Sequence, residues 1–171
     1  WAHRTIIVRT LKHLEPVVGM TVVDPIRDEQ GWAFRNGEGH STDPVNGFHF
    51  LSEAYRLTDP AYRRRVTVPV LWDTVTKRIV SNSDDDLMRM LNGEFNRFTA
   101  SRLDLYPEAL RADIDEMNTF LYERVNNGVY RAGFATSQRG YEQAARSLFA
   151  ALDQLDTRLS QRRYLFGAQF V

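Results

Sequence analysis

Hydrophobic residues in the first part of the chain follow the spacing of a helix in one segment and of strands in others. Apolar side chains recur every three or four positions over residues 2–14, which predicts a helix that ends before Glu15-Pro16. Residues 17–23 are rich in valine and predict a strand. Residues 66–72 predict another strand, whose internal proline indicates an edge, a bulge or a cis turn.

Polar and glycine-rich sequence separates these predicted elements. Residues 27–47 are rich in Gly, Asp, Asn and His, and so long a connection is functional or mobile when it occurs in a compact domain. Residues 48–57 predict a short helix, and Ile79-Val80 predict a short strand. Ser83 and the three aspartates after it are typical of the start of a helix.

The second half of the chain predicts helices only. Residues 110–125 carry an apolar stripe at spacings of three and four, and Gly128 is expected to end this helix in a left-handed conformation. Residues 137–159 carry a second stripe and predict a long helix. We interpret both stripes as packing faces rather than binding faces.

Composition and charge exclude several classes of protein. The chain has 22 basic and 22 acidic residues and no basic stripe, so nucleic acid and anionic membranes are not expected partners. No apolar run approaches the length of a membrane span. The absence of cysteine excludes a disulfide scaffold and favours a cytoplasmic protein. The four histidines show no ligand spacing, so no metal is predicted.

The first four residues, Trp1-Ala2-His3-Arg4, carry the main chemical signal. They match the end of a Cys-Pro-Trp-Ala-His-Arg motif whose first two residues would precede Trp1. A cysteine there would lie at a helix N-terminus, which lowers a thiol pKa and favours the reactive thiolate. Taken alone, the tetrapeptide is more typical of an ordinary amphipathic helix start. Because both ends of the chain fall within predicted elements, we expect it to be an internal fragment.

The order of elements, together with several short motifs, resembles the Xi class of glutathione transferases, the glutathionyl-hydroquinone reductases. The resemblance runs essentially from end to end. The matching segments are Trp1-Ala2-His3-Arg4, Leu14-Glu15-Pro16, Gly31-Trp32-Ala33-Phe34, residues 65–73, Ile79-Val80-Ser81-Asn82, Asn126-Asn127-Gly128-Val129-Tyr130 and residues 132–138.

This resemblance implies an α/β domain followed by an all-α domain. Residues 1–91 would form a thioredoxin-like thiol-binding domain that lacks its first strand and carries a long insertion at 26–60. Residues 92–107 would be a linker, and residues 108–171 would begin the helical domain typical of glutathione transferases. The resemblance also implies a homodimer.

The family chemistry implies glutathione as co-substrate and a glutathionylated quinone or hydroquinone as substrate. A cysteine thiolate attacks the thioether sulfur, releases the hydroquinone and becomes a mixed disulfide with glutathione. A second glutathione then resolves this disulfide. No metal takes part.

The resemblance assigns roles to individual residues. Trp32 would pack on glutathione, although it could instead anchor the long loop. Val68 and Pro69 match the cis-proline step of thioredoxin folds, and we predict a cis bond facing a cleft beside Trp1. Arg65 could reach the glycine carboxylate or be a solvated charge. Tyr130 matches the proton donor, since a phenol with a pKa of about 10 stays protonated at neutral pH; alternatively, it packs within the helical domain.

One pair of residues departs from the family pattern. Ser83 and Asp84 occupy the positions of a Glu-Ser pair that holds the γ-glutamyl end of glutathione. Asp84 would place a negative charge near a bound carboxylate, at a cost of about 1 kcal/mol or more. Either an aspartate takes the ammonium and Ser83 the carboxylate, or the physiological thiol lacks a charged γ-glutamyl head, as mycothiol does.

Two other function classes stay open from the sequence. One is an omega-like thioltransferase or dehydroascorbate reductase, against which the Gly-Trp-x-Phe and Asn-Asn-Gly-Val-Tyr loops argue. The other is a non-catalytic, transferase-like domain that binds proteins. A Cys-Pro pair directly before Trp1 would favour a thiol enzyme over the binding domain.

We predict that the 171-residue polypeptide has no thiol-dependent reductase activity, because it contains no cysteine that could form the mixed disulfide. Turnover of a glutathionyl-hydroquinone with glutathione measures this. Turnover as fast as that of a cysteine-containing relative would contradict the proposed chemistry.

Overall fold

Three helices and a two-stranded sheet make up the first part of the chain. A computed structural model describes all 171 residues and divides them into two units, Trp1–Leu103 and Asp104–Val171. The boundary falls within the stretch 92–107 that was predicted to be a linker. The elements of the first unit are α1 (Ala2–Leu11), α2 (Leu51–Thr58), β1 (Leu71–Asp73), β2 (Arg78–Ser81), α3 (Asp84–Gly93) and a 3-10 turn at Asn96–Phe98.

Helix α1 is shorter than the apolar spacing predicts. It ends at Leu11 because His13 adopts a left-handed conformation, with a φ of 53°. Leu14 lies beyond the helix but is fully buried. The buried Lys12 donates a hydrogen bond from its Nζ to the carbonyl of Leu103 at 2.5 Å. The end of α1 is therefore held by packing and by a side-chain hydrogen bond rather than by a further helical turn.

The strands pair as an antiparallel hairpin. Trp72 lies opposite Ile79 and Asp73 opposite Arg78, with an irregularity between Leu71 and Trp72. Asp73 closes the connecting turn, since its carboxylate accepts hydrogen bonds from the backbone N–H groups of residues 75 and 76. The strand predicted over 66–72 begins only at Leu71. The strand predicted over 17–23 does not form, so the prediction for that segment was wrong.

Helix α2 supplies the centre of a hydrophobic core. Leu51, Ala54 and Tyr55 are buried together on one face of the helix. Partly buried residues from the loops and from both strands pack against this face: Trp32, Phe34, Phe48, Tyr62, Val66, Val68, Val70, Trp72 and Ile79. The start of α2 is capped by Glu53, whose carboxylate accepts hydrogen bonds from the N–H groups of His49 and Phe50 at 2.8 and 2.7 Å. Aromatic residues of the hairpin and of the long loop thus share one core.

The long polar stretch before α2 is packed rather than extended away from the core. Ala33 is buried and pairs with Phe50 as an isolated bridge. The Ala33 carbonyl accepts a hydrogen bond from the N–H of Asp24 at 2.8 Å. Arg35 forms ion pairs with Asp24 and Asp28. In place of the predicted strand over residues 17–23, the Val22 carbonyl accepts a backbone hydrogen bond from the N–H of Ser41 at 3.2 Å.

The second unit is helical, as predicted. Its elements are a 3-10 turn at Glu108–Leu110, α4 (Arg111–Leu121), a π-type turn at Tyr122–Asn126, α5 (Asn127–Gly133) and α6 (Gln138–Leu159). Ser137 caps α6, since its hydroxyl accepts a hydrogen bond from the N–H of Gly140 at 3.2 Å. None of the helices in the molecule is both long and apolar enough to cross a lipid bilayer.

Gly128 does not end a helix, so its predicted role was wrong. It is buried within α5, and a Cβ at this position would lie 3.6 Å from the Leu148 side chain of α6. Arg124 also reaches α6, where its guanidinium donates to the Ser147 hydroxyl at 3.0 Å. Packing of α5 against α6 therefore overrides the local tendency of Asn-Asn-Gly to terminate a helix.

We predict that Leu91→Ala lowers the free energy of unfolding by about 2–5 kcal/mol, because it removes a buried side chain and leaves a cavity. Leu91 is 1% exposed on α3, whereas Leu57 on α2 is 52% exposed. The matched change Leu57→Ala should alter this free energy by less than about 0.5 kcal/mol. Denaturant unfolding of the three proteins measures both values. Equal effects of the two substitutions would contradict the burial of α3.

Candidate functional site

The segment before β1 carries three of the residues predicted to hold a thiol ligand. The Val68–Pro69 peptide bond is cis, as predicted. Val68 is partly buried and packs against the α2 core, whereas the Arg65 side chain is exposed. The Arg65 carbonyl accepts a hydrogen bond from the Tyr62 hydroxyl at 2.8 Å. The backbone of this segment is thus fixed while the Arg65 guanidinium is accessible to solvent.

Asn82 connects this segment to the start of α3. Its side-chain amide donates a hydrogen bond to the Thr67 hydroxyl at 3.2 Å. Thr67 precedes Val68, and Asn82 precedes Ser83, so the contact brings together two segments with predicted site residues. Sequence reasoning missed Thr67 and Asn82, although both lie inside the motifs that carry the family resemblance.

Trp32 lies on the long loop and contacts the same core. Its ring packs against the buried face of α2, and its carbonyl accepts a hydrogen bond from the N–H of Leu51 at 2.9 Å. The side chain is only partly buried. Trp32 therefore anchors the loop, as the alternative interpretation of its role proposed, and part of its surface stays accessible to solvent.

Ser83 caps α3. Its hydroxyl accepts a hydrogen bond from the N–H of Asp86 at 3.4 Å, and the residue is exposed. The hydroxyl of a helix cap can still donate a hydrogen bond outward. Ser83 is therefore able to donate to an acceptor, such as a carboxylate, at the helix N-terminus.

Asp84 forms an ion pair with Arg4 of the Trp-Ala-His-Arg motif. The Arg4 guanidinium also lies 3.2 Å from a carboxylate oxygen of Asp85, and the Thr5 hydroxyl lies 3.5 Å from Asp84. The Asp84 side chain is only 10% exposed. The first turns of α1 and α3 are therefore joined by charge, and the Asp84 carboxylate is occupied by a partner from the same unit.

Burial and charge act in opposite directions on Asp84. Burial raises the pKa of this carboxyl group, and the Arg4 guanidinium opposes the shift by favouring the ionised form. The Asp85 carboxylate adds a smaller contribution that raises the Asp84 pKa. Arg4 also lies over the Trp1 ring, 5.7 Å from its centroid. Two features of the sequence could have predicted this ion pair: the positive charge of Arg4 in the Trp-Ala-His-Arg motif, and the acidic run at residues 84–86.

Tyr130 lies on α5 in the second unit. Its ring is 47% exposed and stacks on Phe134, with centroids 6.1 Å apart and an interplanar angle of 11°. The exposure leaves the phenol accessible, which a proton donor requires. No group of three or more His, Cys, Asp or Glu side chains lies close enough together to hold a metal ion.

Comparison with known proteins finds relatives named as glutathionyl-hydroquinone reductases. No family model matches the sequence. It is 47% identical over 170 residues to the glutathionyl-hydroquinone reductase YqjG of Escherichia coli, a match that covers 99% of this chain and 52% of that protein. It is 44% identical over 167 residues to the glutathionyl-hydroquinone reductase PcpF of Sphingobium chlorophenolicum, covering 98% and 53%. The chain thus spans about half the length of these relatives.

Solved structures agree in fold over the whole chain. The glutathione-bound structure of Escherichia coli YqjG superposes with a TM-score of 0.97 at 46% identity, and the match covers 100% of this chain and 56% of that one. The Xi glutathione transferase of Phanerochaete chrysosporium superposes with a TM-score of 0.96 at 45% identity, covering 100% and 59%. The thioredoxin-like and helical architecture expected from the sequence is therefore confirmed. By sequence and by fold, this chain belongs to the Xi class of glutathione transferases, the family of the glutathionyl-hydroquinone reductases.

Proposed function

We propose that the protein is a glutathione-dependent reductase that releases hydroquinone from glutathionyl-hydroquinone. The similarity to two reductases of this kind over nearly the whole chain supports the proposal. The presence of a cis-proline segment, a partly exposed Trp32 and an accessible Tyr130 agrees with it. The proposal requires a cysteine outside these 171 residues, which contain none. Assembly into a homodimer stays a prediction from the family resemblance.

The proposed reaction has two steps. In the first, a cysteine thiolate attacks the sulfur of the thioether, the bond between sulfur and the aromatic carbon breaks, and a sulfur–sulfur bond forms. The aromatic carbon takes a proton, for which we propose Tyr130 as the donor. In the second, the thiolate of another glutathione attacks the mixed disulfide, which gives oxidised glutathione and the free cysteine thiolate. Overall, the thiol sulfur of one glutathione and the thioether sulfur of the substrate become the disulfide of oxidised glutathione, and the carbon–sulfur bond is reduced to a carbon–hydrogen bond.

The thiol-binding roles fall to the first unit. The backbone of Val68, beside the cis bond to Pro69, would pair with the cysteinyl part of the thiol. Trp32 would pack on the tripeptide, and Arg65 would bind the glycine carboxylate. Ser83 would donate a hydrogen bond to the γ-glutamyl carboxylate at the start of α3, where the helix dipole also favours an anion.

The ion pair between Arg4 and Asp84 supports glutathione as the thiol. The sequence suggested that Asp84 would repel a γ-glutamyl carboxylate and favour an uncharged head such as that of mycothiol. In the structure a guanidinium pairs with this carboxylate, which weakens the repulsion between Asp84 and a bound anion. We therefore propose that glutathione is bound with Asp84 as part of the protein's own charge pair rather than as a ligand of the ammonium.

We predict that Asp84→Ser in the full-length gene product changes the Kd for glutathione by less than about twofold or weakens binding, because the substitution breaks the ion pair with Arg4 that joins the starts of α1 and α3. Calorimetric titration at low and high salt measures this. The control Asp86→Ser removes one charge from the same turn without breaking the pair with Arg4. Binding that tightens about fivefold and loses this gain in high salt would instead favour a thiol without the γ-glutamyl carboxylate.

We predict that Tyr130→Phe in the full-length gene product lowers kcat for glutathionyl-hydroquinone by about 10²-fold or more, because the departing carbon loses its proton donor. The Kd for glutathione should stay unchanged. Phe134→Leu provides a control, since it alters the ring stacked on Tyr130 without removing a hydroxyl. Full activity of Tyr130→Phe would show that the proton comes from another group.

A further inference from the structure

Thr67 is a hub of hydrogen bonds next to the proposed thiol-binding backbone. Its N–H and its carbonyl are both bonded to the hydroxyl of Tyr55, and its own hydroxyl accepts from Asn82. Thr67 lies outside the sheet, since β1 starts only at Leu71. Side-chain groups therefore make the hydrogen bonds to the Thr67 backbone that a neighbouring strand would otherwise make.

Tyr55 provides the rigid side of this hub. It belongs to α2, is 4% exposed and forms part of the central core. Its hydroxyl donates to the Thr67 carbonyl at 2.8 Å and accepts from the Thr67 N–H at 3.4 Å. Because the ring is locked by packing, these bonds fix the Thr67 backbone relative to the helix.

Tyr62 fixes the same segment two residues earlier. Its ring packs on Tyr55 with centroids 4.8 Å apart, and its hydroxyl donates to the Arg65 carbonyl at 2.8 Å. Burial raises the pKa of the Tyr62 phenol, so it stays protonated and able to donate at neutral pH. The backbone is therefore held at both Arg65 and Thr67.

Asn82 extends the network to α3. Its amide bonds to the Thr67 hydroxyl at 3.2 Å, directly before the helix cap at Ser83. Through Thr67, the network therefore connects the two segments that carry Arg65, Val68 and Ser83.

We propose that Thr67 is a positioning residue for thiol binding, held by Tyr55 and Asn82 so that the Val68 backbone and the start of α3 are pre-ordered for one ligand. This inference rests on the proposed function. A binding segment that is ordered before the ligand arrives loses less conformational freedom on binding, which increases affinity. Thr67 itself need not touch the ligand, and the reacting sulfur and the proton donor are elsewhere.

The test uses Thr67→Val and Thr67→Ser in the full-length gene product. Valine keeps the shape of threonine but removes the hydroxyl that accepts from Asn82 and lies 3.5 Å from the Tyr55 hydroxyl, whereas serine retains this hydroxyl. We expect Thr67→Val to raise the Kd and KM for glutathione about three- to tenfold, the effect of one hydrogen bond, with kcat nearly unchanged. Thr67→Ser should restore most of the affinity. Asn82 is exposed, so Asn82→Ala should repeat the effect of Thr67→Val without disturbing the core.

Thr58→Val is the control for a general loss of stability. The Thr58 hydroxyl donates to the Ala54 carbonyl at 2.8 Å and accepts from the Ile79 N–H at 2.9 Å, but it does not bond to Thr67. This variant should lower the melting temperature and leave the Kd for glutathione unchanged. A Kd that rises equally in Thr58→Val and Thr67→Val would show that Thr67 acts only through stability and would overturn the inference.

The remaining outcomes separate this inference from the proposed function. If the unaltered protein does not bind glutathione, the proposed function is wrong. If it binds glutathione and neither Thr67→Val nor Asn82→Ala alters the Kd, the positioning role is wrong while the proposed function stands. If Thr67→Val does not fold, Asn82→Ala alone decides, because its side chain is exposed.

Discussion

The backbone before β1 depends on one buried hydroxyl. This stretch holds Arg65, Val68 and Pro69, yet at Thr67 the N–H and the carbonyl find their partner in Tyr55 rather than in a strand. A buried or half-buried backbone group that lacks a partner destabilises the fold, so a core tyrosine at this point stabilises the segment and also sets its shape. The α2 core thereby fixes the backbone of the segment that carries these residues of the proposed thiol site.

A second constraint is the placement of charge between α1 and α3. The acidic first turn of α3 is favourable for the helix dipole but unfavourable for an anionic ligand. Arg4 reduces this conflict, since it pairs with Asp84 and approaches Asp85. The same contact joins the helix start that bears the Trp-Ala-His-Arg motif to the helix start that bears Ser83. The Arg4 guanidinium therefore affects both the charge at the start of α3 and the position of this helix start relative to that of α1.

Local sequence signals were reliable where a short motif fixes its own conformation. Ser83 caps α3 as predicted, since a cap needs only a hydroxyl and the next turn of helix. They were unreliable where packing competes with propensity. Asn-Asn-Gly predicted a helix end, but contact between α5 and α6 carries the helix past Gly128. Residues 17–23 have the composition of a strand, but a strand forms only beside a partner, and none pairs with them.

The sequence by itself determined the family, the two-part architecture and the candidate residues Trp32, Val68 and Tyr130, because ordered motifs and periodic apolar positions are written locally along the chain. It could not reveal the partner of Asp84 or the hub at Thr67. Arg4 and Asp84 are 80 positions apart, and Tyr55 lies in α2 whereas Thr67 lies in the loop before β1. Such pairs are set by how helices and loops pack in three dimensions. Only the tertiary structure therefore decided that Asp84 pairs with Arg4 and that the cis-proline segment is held by side chains of the core.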